Sequence, residues 1–430
     1  MYNLCLFLLG FFYLPKMRKY WRLWPKKMGG DFEGIQKGAV PLVWIHAVSM
    51  GETKAIIYFA KLLHQKYPHI EFLITSITET GLEEAKRSLP FAKYHCFLPL
   101  DFSWIINPIV KRLKPDLVIL SETDYWYNFL HAAKNSGASI AVINGKLSTR
   151  SQKRYKLLGP LLRSFFSPID VFCVQTEEYK ERLEKLNISQ EKIFVTGNLK
   201  FDAPQETLKE EELQVLKNKF QIGHEDFVIV AGSTHETEEA LILDTYKKLL
   251  PTYPQLKILF VPRHPERFQR VEKLFQDVCV PYVKWSTLYE YKGDKRLFLI
   301  DTMGFLKKCY QLADLAIMGG SFVSHVGGHN VLEPAFYGVP VIFGPHMYTQ
   351  KEFTDLILGA GAGEQISNEQ LTFSIENLIR DKEKHAAYSK QGKALTSDLK
   401  GTSERTLKVL EEKFQLSTNF ACNKFDHELH

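Results

Sequence analysis

The chain has 430 residues, 45% of them hydrophobic and 24% charged, and its formal net charge is +6. This hydrophobic content excludes a disordered chain, and a charge of +6 over this length does not by itself indicate nucleic-acid binding. The six cysteines are scattered, without a C-x-x-C pair or a close Cys/His pairing, so neither a disulfide scaffold nor structural zinc is expected. The length predicts two domains of roughly 150 to 200 residues each.

The first 27 residues have the composition of a membrane-surface anchor. The apolar run from Leu4 to Leu14 is shorter than the roughly 20 residues that span a bilayer. The segment 16–27 carries six Lys or Arg and three aromatic residues, a composition that favours an anionic lipid surface. A retained anchor keeps the main body on the cytoplasmic side. A signal peptide or a buried N-terminal helix is the alternative, although a signal would place its charge before the apolar run.

From Pro41 onward, short apolar strand patterns alternate with helical patterns. The first half reads LVWIHAV, IEFLITSIT, KYHCFLPL, DLVILSE, SIAVING, VFCVQ and KIFVTGN. A polar helical segment follows Phe201, and the second half then reads DFVIVAGS, KILFVPRH, YVKWS, LFLIDT, DLAIMGG and VPVIFGP. Apolar strands separated by helices predict parallel sheets covered on both faces. The fold class is therefore α/β, with two Rossmann-like domains whose carboxyl-edge loops form a cleft. From about residue 368 to residue 414 the pattern is helical without a strand.

The stretch SMGET, from Ser49 to Thr53, follows the first strand and raises a choice for Glu52. Ser followed three residues later by Glu is a capping box, in which the carboxylate serves its own helix end. A carboxylate tied to backbone amides has a lowered pKa and is a poor base. A catalytic role therefore predicts that the side chain of Glu52 points into the cleft, with Ser49 capping alone or not at all. Gly51 would give an acceptor hydroxyl room to approach.

Charged residues follow three further strands of the first domain, and they suggest an anionic acceptor. They are Glu122 and Asp124 after the fourth strand, Lys146 and Arg150 after the fifth, and Lys200 after the seventh. Lys153 and Arg154 also follow the fifth strand, with an ordinary helix surface as their alternative reading.

Two strand ends of the second domain indicate anion binding. Ser233 and Thr234, with Gly232, stand between a strand and a helix, where free amides and hydroxyls suit an anion; an ordinary helix cap is the alternative. Arg263 and His264 follow the next strand between two prolines, and the guanidinium offers a planar fork for phosphate.

The stretch 318–346 is the most specific in the chain. Its Gly319-Gly320-Ser321 lets backbone approach a ligand closely, and Gly327-Gly328 precedes a helix whose first turn should hold Asn330 and Glu333. Amides at that helix start suit a phosphate, and Glu333 can hold ribose hydroxyls. The pattern G-x-G-x-x-G is absent, so no NAD fingerprint is present.

The motifs SMGET, SETDYW, NGKLS, GNLKFD, AGSTHETEE, PRHPERF, DTMG, GGS and GGHNVLEP follow one another in this order. Together they resemble the 3-deoxy-D-manno-octulosonic acid (Kdo) transferases of lipopolysaccharide assembly, over nearly the whole chain. The resemblance implies two Rossmann-like domains in the GT-B glycosyltransferase arrangement, with an N-terminal membrane anchor. It also implies an inverting, metal-independent transfer of Kdo from CMP-Kdo to a lipid A precursor at the cytoplasmic face of the inner membrane, with no cofactor and no nucleic-acid partner.

The resemblance places the general base on Glu52 and its transition-state partners on Glu122 and Lys200. It places CMP contacts on Pro262, Arg263, Met303, Gly304 and the stretch from Asn330 to Glu333. Together with the strand-end residues, the expected CMP side comprises Ser233, Thr234, Pro262, Arg263, His264, Met303, Gly304, Phe305, Gly320, Ser321, Gly328, His329, Asn330, Val331, Leu332 and Glu333. The expected acceptor side comprises Ser49, Gly51, Lys146 and Arg150.

The chain departs from the family pattern at several positions. Phe305 stands where Glu is usual, which removes a carboxylate beside the expected nucleotide site. Tyr127 replaces Pro in Trp-Pro-Asn, and Val331 replaces Pro in His-Asn-Pro. Lys146 stands where Arg is common, which keeps the charge but loses a bidentate fork.

The expected domains are residues 1–27 as anchor and basic interfacial segment, 28–202 as acceptor-binding domain, 203–400 as nucleotide-sugar-binding domain, and 401–430 as C-terminal helix and tail. The alternatives are a GT-B transferase that uses a UDP-sugar on another membrane lipid, a sugar-nucleotide epimerase, and a membrane-bound nucleotide sensor. The epimerase would need no anchor, and the sensor would leave Glu52 and Glu122 without a purpose.

Overall fold

The computed structural model of the protein describes residues 2–3, 6–7, 22–159, 161–290, 293 and 296–420. The contacts divide the chain into two units: Met1–Ala203 with Leu399–His430, and Pro204–Asp398. The anchor predicted over residues 1–27 lies for most of its length outside the described residues. Among the helices of the described ranges, none is long and apolar enough to cross a membrane. The domain limits given by the sequence stay predictions.

The first unit contains a seven-stranded sheet in which every pairing is parallel. Its strands are β1 (Leu42–His46), β2 (Glu71–Ser76), β3 (Tyr94–Phe97), β4 (Leu117–Ser121), β5 (Ser139–Gly145), β6 (Val171–Val174) and β7 (Ile193–Val195). They lie in the order β3-β2-β1-β4-β5-β6-β7. All seven strands that the sequence predicts for this half are confirmed.

Both faces of this sheet are covered, which explains why its strands are almost continuously apolar. All five residues of β1 are buried. Leu42 and Trp44 pack into one apolar cluster, while Val43 and Ile45 pack into a second cluster. Alternate residues of a strand point to opposite faces, so the two clusters lie on the two sides of the sheet. Each fully buried large apolar side chain stabilises the unit by about 1.5–3 kcal/mol.

The helices of the first unit connect these strands. They are Trp24–Lys27, Met50–Lys66, Glu79–Ser88, Ser103–Leu113, Tyr127–Asn135, Thr149–Lys156, Leu161–Phe166 and Glu177–Glu184, with Thr402–Phe414 and Leu416–Asn419 from the end of the chain. Short 3-10 turns cover Gly30–Phe32, Gln190–Lys192 and Leu199–Asp202. The carboxylate of Asp202 fixes the returning helix, because it accepts the backbone N–H groups of Gly401 (2.8 Å), Thr402 (3.2 Å) and Ser403.

The second unit contains another seven-stranded parallel sheet. Its strands are β8 (Phe227–Thr234), β9 (Leu256–Pro262), β10 (Val283–Lys284), β11 (Leu297–Leu299), β12 (Leu315–Met318), β13 (Val341–Phe343) and β14 (Gly363–Gln365), in the order β10-β11-β9-β8-β12-β13-β14. The six strands predicted for this half are confirmed, and β14 is a seventh that the sequence pattern did not indicate.

The helices of the second unit are Glu210–Lys219, Glu238–Leu249, Phe268–Asp277, Leu306–Tyr310, Leu332–Phe336, Lys351–Ala360, Leu371–Arg380 and Lys382–Leu399, the last of which ends at the boundary between the units. Short 3-10 turns cover Pro265–Arg267, Trp285–Glu290 and Asn368–Gln370.

The strand order reverses between β1 and β4 in the first sheet and between β8 and β12 in the second, in which β10 also lies outside β11 at the edge. In open parallel sheets, ligands bind outside the carboxyl ends of the strands at such a switch point. The topology therefore predicts ligand binding by the residues that follow β1 and β4, and by those that follow β8 and β12.

Candidate functional site

In the first unit, Glu52 lies in the first turn of the helix Met50–Lys66, directly after β1. Its backbone N–H donates to the Ser49 hydroxyl oxygen at 3.4 Å, and its Oε2 accepts the backbone N–H of Val48 at 2.9 Å. Ser49 therefore caps the helix without the reciprocal bond of a capping box, in which the Glu52 carboxylate would accept the Ser49 N–H. The carboxylate does reach back to the chain, but it binds the amide of Val48, one residue before the capping residue.

Despite this hydrogen bond, the pKa of Glu52 is raised to about 7. Burial is the largest cause, because the charged carboxylate loses its water there. The Val48 amide and the Lys146 ammonium lower the pKa, whereas the negative charges of Glu122 and Asp124 raise it. The expectation that a bond to an amide would leave Glu52 with a low pKa fails because desolvation outweighs that bond.

Glu122 follows β4 and holds two cations beside Glu52. Its backbone is left-handed, with φ of 62°, and its N–H donates to the carbonyl of Ile143 at 3.0 Å. Lys146 forms an ion pair with its Oε2, and the Nζ of Lys200 lies 3.9 Å from its Oε1. The Glu122 side chain is 6% exposed, whereas those of Lys146 and Lys200 are 43% and 47% exposed. A buried carboxylate therefore holds two cations that remain accessible to a ligand.

The residues Glu122, Lys146 and Lys200 form a charged cluster, which a hydrogen-bond network supports. The network consists of three buried amide side chains, Asn144, Gln175 and Asn198. Asn144 accepts the N–H of Leu199 on its Oδ1 at 3.0 Å, and its carbonyl accepts Gln175 Nε2 at 2.9 Å. Asn198 donates to Gln175 Oε1 at 3.3 Å and accepts the N–H of Lys200 at 3.1 Å. The network thus ties the end of β5 and the residue after β6 to the turn that carries Lys200. Sequence reasoning missed it, although two of the residues lie in NGKLS and GNLKFD.

The other acceptor-side residues lie around the same end of the sheet. Gly51 is exposed beside Glu52, and Arg150 is exposed in the first turn of the helix Thr149–Lys156. Burial and the charge of Glu122 raise the pKa of Asp124, which the sequence placed at a strand end but did not count among the site residues.

In the second unit, a cavity of about 420 Å³ opens at the carboxyl end of the sheet. Its lining includes eight residues expected on the CMP side: Ser233, Pro262, Arg263, Met303, Gly304, His329, Asn330 and Glu333. It also includes Val261, Thr302, Leu306, Met318 and Gln350, which the sequence did not single out. The volume lies within the range of small-molecule sites.

Polar groups within this cavity have defined surroundings. The Oδ1 of Asn330 accepts the N–H of Leu332 at 3.0 Å, and Asn330 precedes the helix Leu332–Phe336. The expectation that Asn330 lies in the first turn of this helix is therefore wrong. Burial raises the pKa of Glu333, and the positive charges of Lys307 and Arg263 oppose that rise. Lys307 was not predicted, because nothing in its local sequence separates it from an ordinary surface lysine.

The remaining expected CMP-side residues do not line this cavity; they are Thr234, His264, Phe305, Gly320, Ser321, Gly328, Val331 and Leu332. Ser321 is fully buried, donates to the carbonyl of Met318 at 2.6 Å and accepts the N–H of Gly344 at 2.7 Å. The ring of Phe305 packs on Trp285, with 4.4 Å between centroids. Contact of these residues with a ligand stays a prediction.

The predicted anion site at AGSTHETEE is arranged differently from the expectation. β8 continues through Thr234, so residues 232–234 belong to the strand instead of lying between strand and helix. The carboxylate of Glu238 accepts the N–H groups of His235 (2.9 Å), Gly320 (2.7 Å) and Phe322 (2.9 Å). The carboxylate of Glu238 therefore binds these three amides in place of an anionic ligand. This arrangement is closer to the alternative interpretation, an ordinary helix cap.

Within the ranges that the structure describes, no group of three or more His, Cys, Asp or Glu side chains is arranged to hold a metal ion.

The fold of this chain is similar to that of a sugar-nucleotide enzyme of known structure. The crystal structure of UDP-GlcNAc 2-epimerase from Neisseria meningitidis superposes with a TM-score of 0.59, at 16% identity, over 87% of this chain and all of that one. At this identity the likeness concerns the fold alone.

The family model described as 3-Deoxy-D-manno-octulosonic-acid transferase (kdotransferase) matches residues 22–203. The 3-deoxy-D-manno-octulosonic acid transferase of Chlamydophila psittaci is 37% identical over 371 residues, covering 86% of this chain and 84% of that protein. The Haemophilus influenzae protein of the same name is 32% identical over 372 residues, covering 86% of each chain. The protein is a glycosyltransferase, and it belongs to the 3-deoxy-D-manno-octulosonic acid transferase family.

Proposed function

We propose that the protein transfers Kdo, with inversion, from CMP-Kdo to a glucosamine hydroxyl of a lipid A precursor, and that Glu52 is the general base. The observation that carries this proposal is the raised pKa of Glu52, about 7, at the carboxyl end of β1. A base with a pKa near the working pH is both deprotonated often enough and basic enough to remove a proton in the transition state.

In this scheme Glu52 takes the proton of the acceptor hydroxyl while the hydroxyl oxygen attacks the anomeric carbon of Kdo. The bond between that carbon and the phosphate oxygen breaks, and CMP leaves with the electron pair. Glu122 holds Lys146 and Lys200, whose ammonium groups supply positive charge for the anionic substrates. A single displacement of this kind inverts the anomeric configuration. The independence of the reaction from metal ions stays a prediction.

The donor is assigned to the cavity of the second unit, so that the two units act as acceptor and donor domains of a GT-B glycosyltransferase. Arg263 is exposed at its rim and offers a planar fork to the phosphate. Glu333 and Asn330 supply groups for ribose hydroxyls, and apolar side chains, among them Met303 and Leu306, suit the face of a nucleobase.

We also assign the protein to the cytoplasmic face of the inner membrane, where its lipid acceptor would lie. The helix Thr149–Lys156 carries Arg150, Lys153, Arg154 and Lys156. The residues after it include Leu157, which is 86% exposed, and Leu161, which is 50% exposed. Cations beside exposed leucines suit an anionic lipid surface, and they support the same role for the basic segment 16–27.

The variant Glu52→Gln tests the base directly. Gln keeps an oxygen that can accept the Val48 N–H, so the helix start should persist, but an amide cannot take the acceptor proton. We expect turnover of CMP-Kdo, generated in situ and offered with a lipid A precursor, to be lost when products are resolved by mass. Glu83→Gln, at an exposed position of the helix Glu79–Ser88, is the matched control and should keep full turnover.

CMP binding serves as the second readout for the same variant, because it reports on the other unit. A ligand present at 100 times its dissociation constant should add about 2.7 kcal/mol to stability. We expect this thermal shift with CMP for both wild type and Glu52→Gln, and a smaller one with UDP. Retained turnover in Glu52→Gln removes Glu52 as the base, and a larger shift with UDP favours the UDP-sugar alternative.

A further inference from the structure

His235 and His329 form a hydrogen-bonded pair at the cavity of the second unit. Their Nε2 atoms are 2.9 Å apart, their rings are inclined by only 14°, and their centroids lie 5.1 Å apart. This centroid separation is close to the N···N distance plus the two ring radii, so the rings meet edge to edge in nearly one plane. The contact is therefore an in-plane N–H···N hydrogen bond. His329 lines the cavity, whereas His235 is not among the lining residues.

The geometry fixes how this pair is protonated when it is neutral. One Nε2 carries a hydrogen and donates it, and the other accepts it, so the accepting ring carries its own proton on Nδ1. The donating ring is left with a free lone pair on Nδ1. That lone pair is the place where the pair can take up one more proton. The resulting imidazolium would donate a charge-assisted bond to its partner, which is stronger than the neutral bond.

The surroundings keep the pair neutral in the free protein. Burial, and to a smaller extent the neighbouring positive groups, lower the pKa of both histidines to about 4. The groups that act on the pair are Arg263 and His264 after β9, Arg267 from the next turn, and His325 from the glycine-rich loop. The facing carboxylates are engaged elsewhere: Glu238 accepts backbone amides, and Glu239 and Glu236 pair with Arg267.

We propose that the His235–His329 pair is a protonatable part of the phosphate site, neutral in the empty cavity and taking up one proton when a phosphate monoester dianion binds. His235 is then a positioning residue that sets the protonation of His329. The inference rests on the proposed function, because the monoester is taken to be CMP. An opposite charge nearby favours the charged form of a titratable group, and the two rings titrate as one unit.

This uptake makes no bond other than N–H, with the proton supplied by solvent. Its consequence lies in the difference between donor and product. The phosphodiester of CMP-Kdo carries one negative charge, whereas released CMP approaches two above the second phosphate pKa of about 6. The pair would therefore hold the leaving group more tightly than the intact donor, and it would release CMP faster as the pH rises.

Isothermal titration calorimetry of CMP into the full-length protein tests this inference in two buffers that differ in ionisation heat. Above about pH 7 free CMP is mainly the dianion, so a heat difference between the buffers reports proton uptake by the protein. We expect uptake approaching one proton per CMP. We also expect the affinity to rise by up to about tenfold for each unit that the pH falls from about 8 to about 7. Cytidine, which lacks the phosphate, should show no such slope.

The variants His235→Asn and His329→Gln should bind CMP without the pH slope, because an amide can hydrogen-bond but does not titrate in this range. His224→Asn, at an exposed histidine of the same unit outside the cavity, is the matched control and should keep the slope. Equal heats in both buffers for the wild type would contradict proton uptake on CMP binding. A pH dependence of the affinity that both variants retain would contradict the role of the pair. Either result leaves CMP as the ligand. CMP that does not bind the wild type at all overturns the donor assignment as well.

Discussion

Glu52 shows how one side chain can stabilise a helix start and still have the pKa of a base. Its carboxylate accepts the Val48 N–H, which lowers the pKa, but burial and the charges of Glu122 and Asp124 more than offset that bond. The sequence offered the two roles as rivals because S-x-x-E is the pattern of a capping box. The pattern cannot show how much water the fold removes from the carboxylate, and that loss of water decides its pKa.

The raised pKa of Glu52 predicts opposite effects of pH on activity and on stability. The deprotonated form is the base, so kcat/KM should rise as the pH rises through about 7. The folded pKa lies above the ordinary value of 4.5, so the folded state holds this proton more tightly than the unfolded state does. The stability that Glu52 contributes is therefore fully present below about pH 4.5 and is lost as the pH rises through about 7.

The comparison with Glu52→Gln isolates this effect from the other raised carboxyl groups. We expect the free energy of unfolding of the wild type to fall relative to that of the variant between about pH 4.5 and 7, by on the order of 3 kcal/mol. Urea unfolding of both proteins across this range measures it. A difference that stays constant with pH would show that Glu52 has an ordinary pKa in the folded protein.

At the scale of elements, the strands were predictable and one edge was not. Runs such as LVWIH predict a strand because both faces of the sheet bury apolar residues. β14 (Gly363–Gln365) gives no such signal, since only Gly363 in it is buried. A Cβ on that glycine would lie 2.4 Å from the Val341 carbonyl oxygen, so the close backbone approach, and not an apolar side chain, defines this strand.

The residues of the candidate sites were likewise predictable only in part. Arg263, directly after β9, was found from the sequence because parallel strands bring their carboxyl ends to one edge, whereas Met303 was assigned only from the family resemblance. Gln350 and the network residue Gln175 were missed, because each is a polar residue without a local pattern and only the tertiary fold gives it a partner. Thr234 was placed in a loop, whereas β8 extends through it.

The turn that carries Lys200 depends on Asn144. Replacing Asn144 by Gly or by Ala should separate the loss of its side-chain hydrogen bond from the strain of its left-handed backbone. Asn144 has φ of 54°, a conformation that glycine adopts freely and alanine does not. Asn144→Gly loses only the acceptor for the Leu199 N–H, which should cost about 1–3 kcal/mol. Asn144→Ala loses the same bond and adds about 1–2 kcal/mol of backbone strain.

We therefore expect unfolding in urea to rank wild type above Asn144→Gly and Asn144→Gly above Asn144→Ala, the reverse of the usual order of glycine and alanine. Both variants should also lower kcat, because the released turn no longer places Lys200 beside Glu122. An alanine variant as stable as the glycine variant would show that the left-handed backbone at this position is not a constraint. Unchanged kcat in both would show that the network does not position Lys200.

At the scale of the whole molecule, the chain returns from the second unit to complete the first. Residues Leu399–His430 belong with Met1–Ala203. Five apolar residues of this segment, Leu407, Leu410, Phe414, Leu416 and Phe420, lie in the apolar cluster that also contains Ile45 and Ile119 of the first sheet. The sequence predicted a helix here and left open which domain it would join. A helical pattern shows which face is apolar, but it does not show which surface will cover that face.

This return predicts that a truncation after Asp398 will unfold the first unit and leave the second folded. Each large apolar side chain buried in the cluster is worth about 1.5–3 kcal/mol, so losing five removes on the order of the 5–15 kcal/mol that stabilises a domain. Hydrogen exchange should show protection lost in β1 and β4 and kept in β8 and β12. The matched control ends after Phe420, retains all five side chains, and should exchange like the full chain. Protection of β1 in the shorter protein would mean that the first unit holds its fold without the returning helix, and that Asp202 and its three amides only fasten an accessory segment.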